Sequence, residues 1–319
     1  MTALPPEVQG TPPAKTIGQT IIGRIAHWDW PTLWLFAGAV LVLGIALLLP
    51  EGWGALGFVL LVLGLVLHSS LSHEILHGHP FASERAGTLL GLVQPGLAIP
   101  YLRFKRLHLD HHMDARLTDP YDDPESNYLD PAVWAGLSRF SKITLQFNNT
   151  LLGRMLIGPL IAQWAFMRGD LARILKGDRQ VLWDWVLHMP GAVLVVWLVT
   201  LSAVPLWLYL LACYVALSVL KIRTFLEHQA HEHCAGRTVI IEDRGLLALL
   251  FLNNNLHVVH HMHPTVAWYR LPDLYRSQKQ RFQARNDGYV YQSYSQIFRR
   301  FFLRRKDPVA HPLWRGPSE

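Results

Sequence analysis

Leu33 to Leu49 and Trp53 to Leu71 are apolar runs without one charged residue, separated only by Pro50-Glu51-Gly52. Val186 to Leu220 is a third uncharged run, long enough for two passes, with Ser202 to Pro205 as its turn. A membrane pass takes roughly 17–25 apolar residues. The pattern predicts an all-α integral membrane protein with two hairpins and four spans, near residues 33–49, 53–71, 186–201 and 205–220. Hydrophobic residues make up 51% of the chain and charged ones 16%, too apolar for an average soluble protein.

The basic residues orient the hairpins. All 29 Lys and Arg fall in the N-terminal stretch, between the hairpins or in the C-terminal third, and neither hairpin turn contains one. The positive-inside rule then places both termini and the central segment in the cytoplasm. Trp28, Trp30, Trp34, Trp53, Trp183 and Trp185 stand near span ends, as interfacial aromatics do. The formal charge of +6 is accounted for by topology and anionic lipid, without nucleic acid as a partner. The expected organisation is a cytoplasmic tail over 1–30, a membrane domain over 31–275 and a basic cytoplasmic tail over 276–319. No cleavable signal peptide is expected, and Cys213 and Cys234 make no disulfide framework. FRRFFLRRK, residues 298 to 306, reads as a helix resting on anionic lipid, and His27 and His311 as surface residues. Segments 88–102 and 151–167 are expected to be interfacial or re-entrant, and Asp184 and His188, at i and i+4, to pair with each other.

The chemistry lies in the histidines. HEILHGHP follows the second run, with His73, His77 and His79; HLDHH spans residues 108 to 112; EHQAHEH spans 227 to 233; HVVHH spans 257 to 261. Residues at i, i+3 and i+4 share a helix face, so His108, His111 and His112 can converge, and so can His257, His260 and His261. The topology puts all four clusters on one side of the membrane. So many imidazoles exceed the four ligands of a closed zinc site and suit two transition-metal ions, with Fe, Cu, Zn or Ni favoured over Mg or Ca. Glu74, Asp110 and Glu227 stand inside the clusters, Asn254 just before the last, and His79 and His231 beside the ligand candidates; each is placed to orient a ligating ring.

Two other classes compete on the same residues. HEILH matches HExxH, in which His73 and His77 would hold zinc and Glu74 would act as general base of a metalloprotease. A metal transporter is the second, although its ligands belong near the bilayer midplane, where these spans carry no charge.

HEILH, HLDHH and HVVHH, placed in this order around two hydrophobic hairpins, resemble the three histidine boxes of the membrane fatty-acid desaturase and hydroxylase superfamily. The linking stretch HHMDARLTDPYDDPE is similar to bacterial members that include acyl desaturases, carotenoid ketolases and rhizopine-type oxygenases. RTFLEH, residues 223 to 228, resembles the motif that supplies one more ligand after the last span. The resemblance implies a non-haem di-iron centre using O2 and two electrons. Its ligands would be His73 and His77; His108, His111 and His112; His257, His260 and His261; and His228 as the ninth. Thr224 stands four residues before His228, where acyl-CoA-type relatives carry Asn, so an acyl-CoA substrate is not carried over. The implied reaction is desaturation of a lipid-like, fatty acyl substrate, with hydroxylation or ketolation of a lipid or carotenoid as the alternative. With no fused haem domain expected, electrons would come from a separate ferredoxin or similar protein and its reductase. The implied location is a bacterial inner membrane, with the metal site cytoplasmic.

Among His228, His231 and His233, distance along the chain does not choose the ninth ligand. His228 is preferred for its nearness to the fourth span and its place in RTFLEH.

Overall fold

The computed structural model describes residues 28–315; His27 and the rest of the expected N-terminal tail up to residue 27 lie outside the described residues. The first hairpin is α1 (Trp30–Leu48) and α2 (Gly54–Leu76), joined by a 3-10 turn at Glu51–Trp53. α1 begins with Pro31 in its first turn, where a missing N–H breaks no helix bond, and with the Asp29 carboxylate accepting from the Thr32 hydroxyl at 2.6 Å. α1 and α2 pack closely through glycine. A Cβ on Gly64 would stand 2.8 Å from Leu43 Cδ2, so a larger residue there would have to displace the Leu43 side chain.

Between the hairpins run α3 (Glu84–Gly91), α4 (Tyr101–His111), α5 (Pro131–Gly136), α6 (Arg139–Asn148), α7 (Leu151–Leu156) and α8 (Gly158–Leu175). The second hairpin is α9 (Arg179–Thr200) and α10 (Leu206–Thr224). The C-terminal third adds β1 (Ile240–Ile241), α11 (Leu246–Leu250), α12 (His257–Met262), α13 (Leu271–Ser277), α14 (Lys279–Arg285), β2 (Val290–Tyr291) and α15 (Tyr294–Phe301).

Among the described residues four helices are long and apolar enough to cross a membrane: Trp30–Leu48, Glu51–Leu76, Arg179–Thr200 and Leu206–Thr224. The molecule is thus a helical integral membrane protein whose described strands form one short parallel pair, Ile240 beside Val290 and Ile241 beside Tyr291. Trp34, Leu41, Leu48, Val193, Trp197 and Trp207 point outward, as lipid-facing residues must, because hydrocarbon solvates them. Inward, Leu43, Leu61, Leu65, Tyr209, Ala212 and Ala216 join the spans into a core that continues through Phe225 and Phe251 to Tyr294 and Phe301. Segments 88–102 and 151–167 contain no candidate span, so the histidine clusters that they separate share one end of the spans.

One side-chain pairing and one surface assignment differ from those expected. Asp184 pairs with Arg106, not with His188, whose Nε2 instead meets the Leu97 carbonyl at 2.9 Å. Two arginines on α4 therefore bind acids of the following helices: Arg103 also grips Asp170 through 2.7 and 2.9 Å bonds, all of it buried. A guanidinium offers paired donors that an imidazole four residues away lacks. His311, expected at the surface, is buried and lies 3.2 Å from the Thr118 hydroxyl. In the stretch expected as a basic cytoplasmic tail over 276–319, Phe282, Tyr294, Ile297 and Phe301 are buried, and α15 stops at Phe301.

Candidate metal centre

α2 ends with His73 in its last turn and His77 as its C-cap, so i, i+4 spacing aims both rings to one side. α4 ends likewise with His108 and His111, and His112 caps it. α12 opens on His257 and carries His260 and His261. A left-handed turn at Leu252 and Asn253 leads into α12, held by the Asn253 amide bonding the Trp268 carbonyl at 3.0 Å. His228 alone comes from non-helical chain, just past the end of α10, where it bridges to Thr238.

These nine side chains gather into two groups. His73, His77, His108, His112 and His260 bring one nitrogen each within 4.8 Å of one another, and so do His111, His228, His257 and His261. α4 and α12 contribute to both groups. α2 serves only the first, and His228 only the second.

The outer nitrogens are held by acids and amides. His108 Nδ1 lies 2.9 Å from Glu125, His111 Nδ1 2.8 Å from Asp123, and His257 Nδ1 3.0 Å from Asn254 Oδ1. Asn254 is itself oriented because its amide donates to Glu227, which also pairs with Arg223 at 3.2 Å. With each Nδ1 carrying the proton, a neutral ring presents Nε2 as an acceptor. In the second group, Nε2 of His111 and of His257 then both face His228 Nε2, at 2.8 and 3.2 Å. Once His111 is neutral, as metal binding requires, a single proton on His228 can serve only one of them. In the first group His112 Nε2 lies 2.9 Å from His108 Nε2 and 3.1 Å from His260 Nε2, while His73 Nε2 and His77 Nε2 are buried without a hydrogen-bond partner. Converging acceptors without enough protons are satisfied by a cation, and the donor set of imidazole nitrogens suits a transition metal. The residues fit.

Burial is the main cause that pushes His77, His112, His228, His257 and His260 below the ordinary imidazole value, with neighbouring histidines adding to it. They are neutral near pH 7, the form that binds metal. His111 is the exception. Burial lowers it, but the Glu125 and Asp123 carboxylates overcome that and raise it to about 9.

The orienting residues expected from sequence divide. Asn254 and Glu227 reach His257 as described, and Glu74 lies 3.6 Å from His73 Nδ1 while accepting from the Trp268 amide at 3.1 Å. Asp110 is exposed, and among the described residues no hydrogen bond of its carboxylate joins it to either group; only its backbone carbonyl accepts from the His112 N–H that caps α4. His79 turns to Asp29 at 2.9 Å and to the Thr265 carbonyl. His231 turns to Asp287 at 3.3 Å and lies against the turn at Gly236, and His233 is exposed. Asp123 and Glu125 were not singled out from sequence. Their signal was the acidic run DPYDDPE, which returns to the site 12 and 17 residues after the rings that it contacts.

Membrane-length helices that carry a buried, histidine-lined centre at one end fit a membrane-bound metalloprotein. The chain belongs to the fatty acid desaturase family, which matches residues 50–294. It is similar to a beta-carotene ketolase of Paracoccus sp. (strain PC1), 27% identical over 251 residues, covering 76% of this chain and 83% of the relative. A beta-carotene ketolase of Paracoccus sp. (strain N81106 / MBIC 01143) is 26% identical over 260 residues, covering 78% of this chain and 88% of the relative.

Proposed function

We propose that this protein is an O2-dependent di-iron oxygenase that inserts oxygen into a C–H bond of a long apolar lipid of the carotenoid kind. One observation carries the reading: nine imidazoles in groups of five and four, with their outer nitrogens held by acids and amides, at one end of four membrane spans. His73, His77, His108, His112 and His260 would hold one iron, and His111, His228, His257 and His261 the other. Bound iron would supply the O2 activation and one-electron steps that side chains cannot.

The chain's own residues bind, orient and exclude water. Asp123, Glu125 and Asn254 fix three rings by accepting from Nδ1, which keeps each Nε2 aimed inward. Glu227, held by Arg223, sets Asn254. Burial of His73, His108, His111, His257 and His260 to 2% exposure or less keeps bulk water from the reacting atoms. A site at the span ends lets an apolar substrate approach from the bilayer. Electrons would come from a separate ferredoxin-like donor with its reductase. The cation distribution supports a cytoplasmic site in a bacterial inner membrane. A single cysteine introduced at Gly52 or Ser202 should then be labelled only from the outside, and cytoplasmic labelling of either contradicts that orientation.

Oxygenation is placed ahead of desaturation because both relatives are ketolases and align over most of this chain. Desaturation of a fatty acyl chain is the second reading, favoured by the family's own description. Mass spectrometry of lipids and pigments from cells with and without the gene separates them. A hydroxyl adds one oxygen and a ketone adds an oxygen while removing two hydrogens; a double bond only removes two hydrogens. Products that lack two hydrogens and gain no oxygen would reject the oxygenase reading.

A further inference from the structure

His228 is the one member of the two groups that no helix holds. Its neighbours run as extended chain, bonded to the facing strand by Gln229 N–H to the Arg237 carbonyl at 2.9 Å and by Val239 N–H to the Glu227 carbonyl at 3.0 Å. Ring position there depends on whatever else fixes the backbone. The described contacts trace that to the far end of the chain.

Lys306 ends the basic run FRRFFLRRK. Arg304 and Arg305 beside it are exposed, yet the Lys306 side chain is only 5% exposed and donates to the His228 carbonyl at 2.8 Å. Asp307, 3.7 Å from that ammonium, accepts a hydrogen bond from the Tyr128 hydroxyl. The same hydroxyl accepts from the Ala230 N–H at 2.8 Å. Asn149 closes the network by donating to the Asp307 carbonyl at 2.6 Å and its carboxylate at 3.1 Å, and its own carbonyl accepts from the Lys306 N–H at 3.0 Å. The backbone is thus gripped on both sides of His228, at residues 228 and 230. Burying an ammonium and a carboxylate beside a ligand is costly unless they are paired and bonded, as they are here. An apolar strap would have been the cheaper way to pack this segment.

We propose that Lys306, Asp307 and Tyr128 are positioning residues for His228. The C-terminal strap sets the ninth ring and thereby the metal affinity of the four-histidine group. The inference rests on the two-iron reading above. Positional tolerance at such sites is on the order of 0.5 Å, and losing an outer-shell partner typically costs roughly 10–100-fold in metal affinity. The four-histidine group has no spare ring to absorb that loss, whereas the five-histidine group does not touch the strap.

The test uses the full-length protein in detergent, loaded anaerobically with Fe(II) and challenged with graded chelator. Wild type should hold two irons. Lys306→Met should release one iron at roughly 10-fold lower chelator and keep the other at the wild-type level; Lys306→Arg, which keeps a donor, should restore most of the difference. In the His228→Ala background, which already lacks the second iron, Lys306→Met should cost no further metal. Co(II) loading gives a second readout, since the visible band of the four-histidine site should shift in Lys306→Met. Asp307→Asn and Tyr128→Phe should give the same one-sided loss, and they decide the question if Lys306→Met does not fold. Two irons held at wild-type chelator resistance in the variants would overturn the strap alone. A wild-type chain that holds no iron would overturn the two-iron reading and the strap with it.

Discussion

The five-histidine and four-histidine groups share two scaffolds and differ in the third. α4 sends His108 and His112 to the first group and His111 to the second, and α12 sends His260 to the first and His257 and His261 to the second. The first group is completed by His73 and His77 at the end of a membrane span, where the last turn of α2 and its C-cap, the His77 N–H on the Glu74 carbonyl, set the ring positions. The second is completed by His228 on extended chain, held by contacts distant in sequence. One group is therefore built on local geometry and the other on tertiary structure. They should fail differently.

The largest effects come from the rings themselves. His73→Ala and His257→Ala should each abolish turnover, measured as product formed by membranes supplied with donor and reductase. His228→Ala should also lose turnover and drop to one iron per chain. His231→Ala should keep both irons, because its ring faces Asp287 instead of the centre; a result reversed between these two variants would move the ninth ligand.

Next are the carboxylates. Asp123→Asn and Glu125→Gln should lower metal affinity or activity roughly 10–100-fold. Asp123 serves only a ring of the four-histidine group, so Asp123→Asn should loosen one iron. Glu125 bonds His108 in one group and lies 3.9 Å from His111 in the other, so Glu125→Gln should loosen both. Chelator competition with iron counting distinguishes the two patterns. Asp110→Asn, at an exposed position, should change neither.

A pH dependence further separates the groups. In the metal-free chain His111 holds its proton up to about 9, so a metal entering the four-histidine group at neutral pH must displace it. Metal affinity of that group should rise with pH up to about 9, and proton release should accompany metal uptake. His77, His112 and His260 are lowered below the ordinary imidazole value and give no such dependence near neutrality. Isothermal titration in buffers of different ionisation enthalpy reads the proton count; equal counts for the two groups would contradict the distinction.

What was legible in the sequence follows the same division. Uncharged runs show spans directly because hydrocarbon cannot solvate charge, and HxxHH shows a shared helix face because 3.6-residue periodicity is local. Asn254 and Glu227 were within reach of reading for the same reason, since each stands within a helix turn of a cluster histidine. Asp184 misled because i, i+4 spacing shows that two side chains can meet, not that they do; Arg106 on α4 outcompeted His188. Lys306 was hidden by its company. A lysine among exposed arginines reads as surface charge, and only the fold shows it turned inward against His228, 78 residues away in sequence. Asp110, His79 and His231 show the converse: sitting inside a histidine cluster in sequence did not bring them to the centre.

Whether the nine histidines form two metal sites is decided by counting metal on the purified, iron-replete chain. Two irons per chain are expected, falling to one in His228→Ala. One zinc and no iron, unchanged in His228→Ala, would contradict the two-site arrangement and return the HEILH motif to its reading as a zinc site.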